Sequence, residues 1–439
     1  MTTCSRLFVP LVLVLAGCSN TVEGWPVDSG PDGAGGTASG GGAVSGGSAG
    51  TAGHATGGQG SGPGGGQGGG SAGTGTPPPL VLDSGRVVLR RLNGPEYNNT
   101  VRDLLGSSLR PADRIVEGDE SAEGFDTVGE ALSMQLSRFE VLERGATELV
   151  DELFARPATD AWRTAVLVCT DVASETCQRQ ILSTFARRAF RRPVADAEIT
   201  NLLALIQKAR TAGNTAEDSL KAALRAVLIS PNFLYLVERT AAPAGVAVPI
   251  DAHELATRLS YFLWSSMPDQ ELSDAADAGT LTSDPSALQT ATARMLLDTK
   301  AAQLTENFAG QWLTLRRLKL FAPSTKTFPN FDMGLRDAAV EETERFFSAL
   351  VTDNAALETL LTADFTFVNS GLGEHYGVLV SGADFQRVSL AATARAGILG
   401  QMSFLAATSH PAVTSPSKRG VWVLEQLLCD APNPPPGDV

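Results

Sequence analysis

Four arginines in one short stretch carry the strongest chemical signal in the sequence. They lie within residues 185–193 and are Arg187, Arg188, Arg191 and Arg192. On a helix, the first and third form a pair of like charges four residues apart, as do the second and fourth, and such pairs repel unless acids neutralise them. Two interpretations stay open. The arginines form structural ion pairs that hold helices together, or they bind phosphate or carboxylate anions, which the guanidinium fork suits.

A pair of cysteines predicts a covalent link. Cys169 and Cys177 lie close together in the sequence, and the N-terminus described next predicts export to an oxidising compartment, where such pairs form disulfides. Two reduced, buried thiols are the alternative. The spacing matches neither the Cys-x-x-Cys-His of haem attachment nor a zinc site, which needs more ligands. No metal site is predicted, and the role of Cys429 stays open.

The N-terminus predicts a lipid-modified protein. Arg6 precedes an apolar run from Leu7 to Leu15, which is shorter than the about 20 residues of a membrane span and typical of a signal peptide. The run ends in Leu15-Ala16-Gly17-Cys18, which resembles the lipobox of bacterial lipoproteins. In that chemistry the cysteine thiol receives a diacylglyceryl group before cleavage, and two or more acyl chains anchor a protein stably. The alternative is an ordinary signal peptide that ends near a cysteine.

Cys18 is therefore the predicted lipidation site, and membrane lipid is the first predicted partner. Ser19 follows it, whereas an acidic residue there usually marks retention at the inner membrane. We therefore expect a lipid-anchored protein of the cell envelope, at the outer membrane. From Asp28 to Pro79 the chain is mostly Gly, Ser, Ala and Thr. Such a segment buries too little apolar surface to offset its ordering entropy, so we expect a flexible linker with a mean span of roughly 40 Å.

Charge and motif content exclude several functions. The 439 residues carry a net charge of -14, and an acidic chain lacks the basic face that nucleic acid requires, so no nucleic-acid partner is expected. No later stretch is apolar for long enough to span a membrane. The folded part contains no Gly-x-Ser-x-Gly elbow, no glycine-rich phosphate loop and no His-x-x-x-His pair. The catalytic residues are therefore unknown, and whether the protein is an enzyme stays open.

The elements that position these residues are predicted to be helices. Asn93 and Glu96 have the spacing of a capping box, and Gly106 suits a left-handed cap at the end of that helix. Asp251 and Glu254 repeat the box. The other predicted elements are a helix from Asp284-Pro285 that continues to Trp312, a helix capped by Asp332 that runs through Leu350, two last helices at Leu399–Leu405 and Val421–Leu428, and strands at Val87–Leu89 and Phe365–Val368.

The predicted fold is mainly α, with a helical multi-domain body after a disordered Gly-rich linker. The predicted parts are a lipoprotein signal peptide at 1–17, a lipidated cysteine with its linker at 18–79, an N-terminal helical domain at 80–160, a helical domain with the Arg-rich helix at 161–240, a central helical domain at 241–380, and the start of an incomplete C-terminal domain at 381–439.

Five stretches, in this order, resemble one protein family. They are Arg91–Gly106, Phe185–Pro193, Ala226–Tyr235, Leu259–Asp269 and Thr408–Glu425. In these stretches the chain resembles large exported proteins, abundant in planctomycetes and myxobacteria, that are built from consecutive domains of unknown function. Relatives tend to carry a capping Ser or Thr where this chain has Ala195, and we expect Asp196 to take over that cap.

The resemblance implies a surface-associated protein that carries a c-type haem when complete. Family members continue past a proline-rich stretch like Pro432–Pro436 into a Cys-x-x-Cys-His motif, whereas this sequence stops at Val439 before one. We therefore expect no cofactor in the chain as given and haem c in a full-length form. His410 precedes the segment that leads to the haem domain. It is the candidate haem-proximal residue, as an axial ligand or proton shuttle, with a hydrogen-bonded loop residue as the alternative.

Two hypotheses for function remain. In the first, the protein is the helical front part of a surface-associated c-type cytochrome-like protein and has a redox partner. In the second, it is a non-enzymatic binding or scaffold lipoprotein for a surface polysaccharide or a partner protein. The first rests on the resemblance, and the second rests on the long tether and on the lack of a catalytic constellation in the sequence.

Overall fold

The computed structural model describes residues 89–240 and 247–432. The signal peptide, Cys18 and the linker lie outside these residues, so the predictions made for them stay predictions, as do the domain boundaries. Within the described part the chain is mainly α-helical, as predicted, with two small antiparallel sheets. None of the described helices combines the length and the apolar character that a membrane crossing requires.

The first part of the described chain builds one apolar core. Its members include Val101, Leu104, Ile181 and Leu224, whose side chains are fully buried. The strands β1 (Arg90–Arg91) and β2 (Tyr235–Leu236) pair antiparallel and bring the two ends of this part together. The helices around this core are α1 (Gly94–Leu105), α2 (Leu136–Ala155), α3 (Ala161–Val166), α4 (Glu175–Phe190), α5 (Asp196–Thr211), α6 (Ala216–Leu228) and α7 (Pro231–Leu234).

The second part builds another apolar core, in which Trp264, Met295 and Phe346 are fully buried. The helices are α8 (Ala252–Trp264), α9 (Gln270–Asp277), α10 (Thr280–Ser283), α11 (Pro285–Leu297), α12 (Gly310–Trp312), α13 (Leu315–Leu318), α14 (Met333–Thr352), α15 (Thr359–Thr362), α16 (Ser370–Tyr376), α17 (Met402–Ala407) and α18 (Pro416–Trp422). The strands β3 (Phe365–Val368) and β4 (Gln386–Ser389) pair antiparallel.

Helix α8 belongs to both cores. Its Tyr261 packs in the first core, and its Trp264, almost one turn later, packs in the second. Residues three apart lie on nearly the same side of a helix at successive levels along its axis, so the two cores meet at neighbouring levels of this thirteen-residue helix. The rigid α8 therefore carries the connection between the two cores.

Several helix ends form as the sequence predicts. The side chain of Asn93 accepts a hydrogen bond from the backbone N–H of Glu96, whose carboxylate reaches back to Asn93, and Gly106 ends α1 with a φ of 62°. Asp251 and Glu254 form the same box at α8. Asp332 caps α14, which runs through Leu350 as predicted, and the strand Phe365–Val368 is also confirmed.

The predicted helix from Asp284 to Trp312 is wrong in its second half. Asp284 caps α11 with Pro285 at its first position, but the helix ends at Leu297. The carboxylate of Asp298 accepts from the backbone N–H of Lys300 at 2.8 Å and starts a separate turn. The short 3₁₀ turns of the described chain are Pro111–Arg114, Thr299–Ala301 and Ile398–Gly400, and its π-helical segments are Leu304–Ala309 and Val423–Leu427.

The ends of three other predicted elements also differ. Val87 and Val88 lie outside the described residues, and the first strand begins at Arg90. The helix predicted at Leu399 begins at Met402, after a 3₁₀ turn. The last helix begins before the predicted Val421, because Ser415 caps the backbone N–H of Lys418 and Pro416 takes the first position.

The predicted disulfide between Cys169 and Cys177 is confirmed. Cys169 lies in the loop after α3, and Cys177 lies in the first turn of α4, with 5.8 Å between their Cα atoms. The bond closes a short loop and fixes the start of the helix that carries the arginines. A cross-link of this kind stabilises a fold mainly by restricting the unfolded chain.

We expect the double variant Cys169→Ala/Cys177→Ala to lower the free energy of unfolding by about 2–3 kcal/mol, because a loop of this length loses about that much closure entropy when cross-linked. Urea titration followed by circular dichroism measures the change. Thr170→Ala, an exposed position in the same loop, is the control and should stay within about 0.5 kcal/mol of wild type. An unchanged urea midpoint in the double variant would contradict a stabilising role of the disulfide.

Candidate functional site

Arg191 lies at the centre of a buried polar junction. It is the residue after α4, has a left-handed φ of 59°, and is only 8% exposed. Its Nη1 donates to the Tyr261 hydroxyl at 3.1 Å. Its Nη2 donates to the backbone carbonyls of Asn232 (2.9 Å), Phe233 (3.1 Å) and Tyr235 (2.8 Å). The guanidinium thus joins the end of α4 to the segment of α7 and β2 and to α8.

Tyr261 extends this junction to α1. Its hydroxyl lies 2.8 Å from Oγ1 of Thr100, which also donates to the backbone carbonyl of Glu96 at 2.6 Å. The Arg191 guanidinium lies 5.5 Å from the centre of the Tyr261 ring, within cation–π range. Burial raises the pKa of Tyr261, so its phenol stays protonated at neutral pH. The hydroxyl serves as a fixed neutral partner between an arginine and a threonine.

Arg192 forms an ion pair, which is one of the two interpretations that the sequence left open for the arginines. Its guanidinium donates to both carboxylate oxygens of Glu198, at 3.0 and 2.8 Å. This hydrogen-bonded contact with Arg192 lowers the pKa of Glu198 to about 2. The same carboxylate accepts from the backbone N–H of Ala195 at 2.9 Å. The expectation that Asp196 caps α5 is therefore wrong, because Glu198 reaches back to the helix start and Asp196 is already helical.

Arg187 and Arg188 point in another direction. Arg187 forms an ion pair with Asp277 at the end of α9. Arg188 is half-buried and donates from Nη2 to the backbone carbonyl of Asp103 at 3.1 Å. Burial lowers the pKa of its guanidinium. Both side chains line a cleft of about 500 Å³.

The prediction that all four arginines lie on one helix is wrong. Helix α4 ends at Phe190, and Arg191 takes up the left-handed conformation that ends it. This turn sends Arg191 into the interior, where it contacts Tyr261 and backbone carbonyls, while Arg187 pairs with Asp277, so the two like charges have different partners.

Polar side chains of α1 continue the junction toward the second core. Asn99 donates to Gln303 at 2.8 Å, and Asp103 accepts from the Ser266 hydroxyl at 2.8 Å. Lys300 lies 3.5 Å from Asp103. Sequence reasoning missed these contacts. The available signal was the run of polar residues on α1, a helix whose other face is apolar and buried.

A second buried contact links the same regions. Asp126 is buried, and its carboxylate accepts from Arg316 at 2.6 Å and from the Asn93 amide at 3.0 Å. Its backbone N–H donates to Gln311 at 2.8 Å. Asp126 therefore fixes the start of α1 against α13 through its carboxylate and against α12 through its backbone N–H.

His410, the candidate haem-proximal residue, lies elsewhere. Its side chain is exposed, in the turn between α17 and α18. The turn is closed by a hydrogen bond from the His410 backbone N–H to Val413 at 2.9 Å, and Ser324 donates to the carbonyl of Pro411 at 2.8 Å. His410 is thus held at the surface and apart from the arginines. Its role with haem stays a prediction.

Sequence reasoning also missed a buried acid. Glu342 on α14 is fully buried and accepts from the hydroxyls of Thr366 (2.6 Å) and Tyr376 (2.7 Å). Tyr376 in turn accepts from the backbone N–H of Met402 at 2.6 Å. Burial raises the pKa of Glu342 to about 7. Among the described residues, no cluster of His, Cys, Asp and Glu side chains could hold a metal ion.

Comparison with protein families gives four consecutive matches, all to domains described as proteins of unknown function. They are PSD3 (DUF1587) at residues 90–155, PSD5 (DUF1595) at 177–238, PSD4 (DUF1592) at 250–378 and PSCyt3 (DUF1588) at 395–439. No curated protein and no solved structure matches the chain.

We expect Arg191→Gln to lower the free energy of unfolding by about 2–4 kcal/mol, because it leaves buried acceptors without their charged donor. Chemical denaturation measures the change. Arg179→Gln is the matched control, since Arg179 lies exposed on the same helix and should cost less than about 0.5 kcal/mol. If both variants were equally stable, the junction would not be the structural centre described here.

Glu342 predicts a distinct pH dependence. Its pKa of about 7 in the fold exceeds its ordinary 4.5, so the folded state binds this proton more tightly than the unfolded state. Its contribution to the free energy of unfolding is therefore greatest below about pH 4.5 and is lost as the pH rises to about 7, by at most about 3 kcal/mol. Thermal unfolding of wild type and Glu342→Gln between pH 4.5 and 8 measures this. A difference in stability between wild type and Glu342→Gln that did not change with pH would exclude a raised pKa of Glu342 in the fold.

Proposed function

Because the chain belongs to the multi-domain family built from these four consecutive domains of unknown function, we propose that it is the helical front part of a surface-associated c-type cytochrome-like protein, held at the cell envelope by lipid on Cys18. Its task in this proposal is to fold, to present a surface to the haem-bearing part, and to tether both to the membrane.

The observation that carries the proposal is the PSCyt3 match at residues 395–439, which follows the other three domains in series. This range includes the turn that holds His410 at the surface. An exposed imidazole in a turn fixed by backbone hydrogen bonds is accessible to a domain that docks there. This accessibility supports a role for His410 beside a haem. In the proposal, the haem itself is bound by another domain.

The residues present do not fit a haem site by themselves. The sequence contains no Cys-x-x-Cys-His motif for covalent attachment. His410 stands in an exposed turn, and an axial ligand needs a pocket that excludes water around the iron. In the proposal, haem is therefore carried by a segment that follows this one, and no redox step is assigned to the described residues.

The anchor rests on the sequence alone. The apolar run from Leu7 to Leu15 and the lipobox that ends at Cys18 support processing by the lipoprotein pathway. The Gly-rich linker supports a body that stands away from the membrane, with the outer membrane as the proposed location.

The test is the native protein isolated from its own membranes with detergent. We expect its intact mass to exceed that of the acylated segment from Cys18 to Val439, and its absorption spectrum to show a Soret band. We also expect Cys18→Ser to move the protein from the membrane to the soluble fraction. A native protein with the mass of that segment and no Soret band would refute the cytochrome proposal. Continued membrane retention of Cys18→Ser would refute the lipid anchor independently.

A further inference from the structure

The cleft beside Arg188 is strongly basic for so acidic a chain. Its lining contains five arginine and lysine side chains, one histidine and two acidic side chains, although the whole chain has a net charge of -14. The arginines and the lysine are Arg187, Arg188, Arg191, Arg192 and Lys300, the histidine is His253, and the acidic residues are Asp103 and Asp269. An excess of one charge within a concave surface concentrates ions of the opposite charge there.

Most of these cations already have partners within the protein. Arg191 donates to buried carbonyls, Arg192 is paired with Glu198, and Arg187 is paired with Asp277. Lys300 lies 3.5 Å from Asp103. These contacts hold the basic wall of the cleft in place.

Arg188 differs from its neighbours. Its described partner is a backbone carbonyl, that of Asp103, and within the described chain no carboxylate lies at ion-pair distance from its guanidinium. The Asp103 carboxylate is taken up by Arg102 at 2.8 Å, by Ser266 and by Lys300. Arg188 lines the cleft, and a half-buried guanidinium keeps its charge and suits a planar anion.

An aromatic ring lies in the wall of the same cleft. Trp162 is 40% exposed, and its indole packs over Gly106, where a Cβ would overlap the ring. Asp160 caps the helix that carries Trp162 through the backbone N–H groups of Trp162 and Arg163. The ring is therefore fixed from beneath while part of its surface stays open. Thr184, Gln270 and Ser273 add polar groups to the lining.

We propose that this cleft binds an acidic sugar, with its carboxylate on the Arg188 guanidinium and its ring against Trp162. An aromatic ring in the same cleft as a guanidinium that has no carboxylate partner among the described residues suits a ligand with an apolar ring face and one planar negative group. The cleft volume of about 500 Å³ lies within the usual range for small-ligand sites. The site would give a ligand class to the polysaccharide-binding role that the sequence left open, and it depends on neither haem nor the lipid anchor.

Isothermal titration calorimetry of the full chain with D-glucuronate tests the proposal. D-glucose has the same ring without the charge, and inorganic phosphate has charge without the ring. We expect glucuronate to bind about tenfold or more tightly than either, because a bidentate guanidinium–carboxylate contact and ring contact both contribute. Equal binding of phosphate would overturn the sugar assignment, and no glucuronate binding would overturn the site.

Two variants locate the binding. Arg188→Gln should weaken glucuronate binding about tenfold or more. Thr184→Glu places a carboxylate one turn before Arg188, where it can pair with the guanidinium and compete with the ligand while supporting the helix. Arg179→Gln on the same helix is the control and should bind as wild type does. Thermal melting confirms that each variant is folded, and Thr184→Glu carries the test if Arg188→Gln is unstable. Wild-type affinity in both cleft variants would refute the proposal.

Discussion

The burial of one guanidinium constrains the rest of this molecule. Removing an ion from water costs several kcal/mol unless polar groups surround it, so Arg191 is tolerated only where its acceptors are already in place. Those acceptors come from the segment of Asn232 to Tyr235 and from Tyr261 on α8. The left-handed conformation of Arg191 ends α4 and turns its side chain toward them. Helix length, loop path and the position of α8 are therefore linked through one side chain.

The junction also brings together separate stretches of the sequence that carry the family resemblance. Four of the five stretches meet there, through Thr100, Arg191, Tyr235 and Tyr261. The two cores on either side are apolar. They stabilise the fold but do not specify how one core is oriented relative to the other, because the hydrophobic effect is non-directional. Hydrogen bonds to a buried ion have strict geometry and determine how the cores are joined. The fifth stretch lies apart and is fixed separately, by a hydrogen bond from the Trp422 indole to Thr314 at 3.0 Å.

What the sequence could predict was local. The boxes at Asn93 and Asp251 involve residues three apart, and the disulfide joins residues eight apart, so spacing alone was informative. The burial and the partners of Arg191 were not predictable, because those partners lie 41 to 70 residues away in the sequence. Glu342 is similar, since on α14 it occupies an ordinary helical position, and its burial depends on strand β3 and on Tyr376. In these cases tertiary partners determine the environment, and a single helix pattern contains no information about them.

In the proposal for the cleft, the two interpretations of the arginine stretch apply to different residues. The chain has carboxylates in excess, and they neutralise Arg187 and Arg192, while Arg191 is satisfied by carbonyls. Arg188 contacts the backbone carbonyl of Asp103, whose carboxylate already serves Arg102, Ser266 and Lys300. The cleft walls come from α1, α3, α4, α8 and the segment after α8, and the junction joins α1, the end of α4 and α8. A ligand that entered would therefore meet walls that are already ordered, and such preorganisation lowers the entropy cost of binding. The structural role of three arginines is thus what makes a binding role available to the fourth.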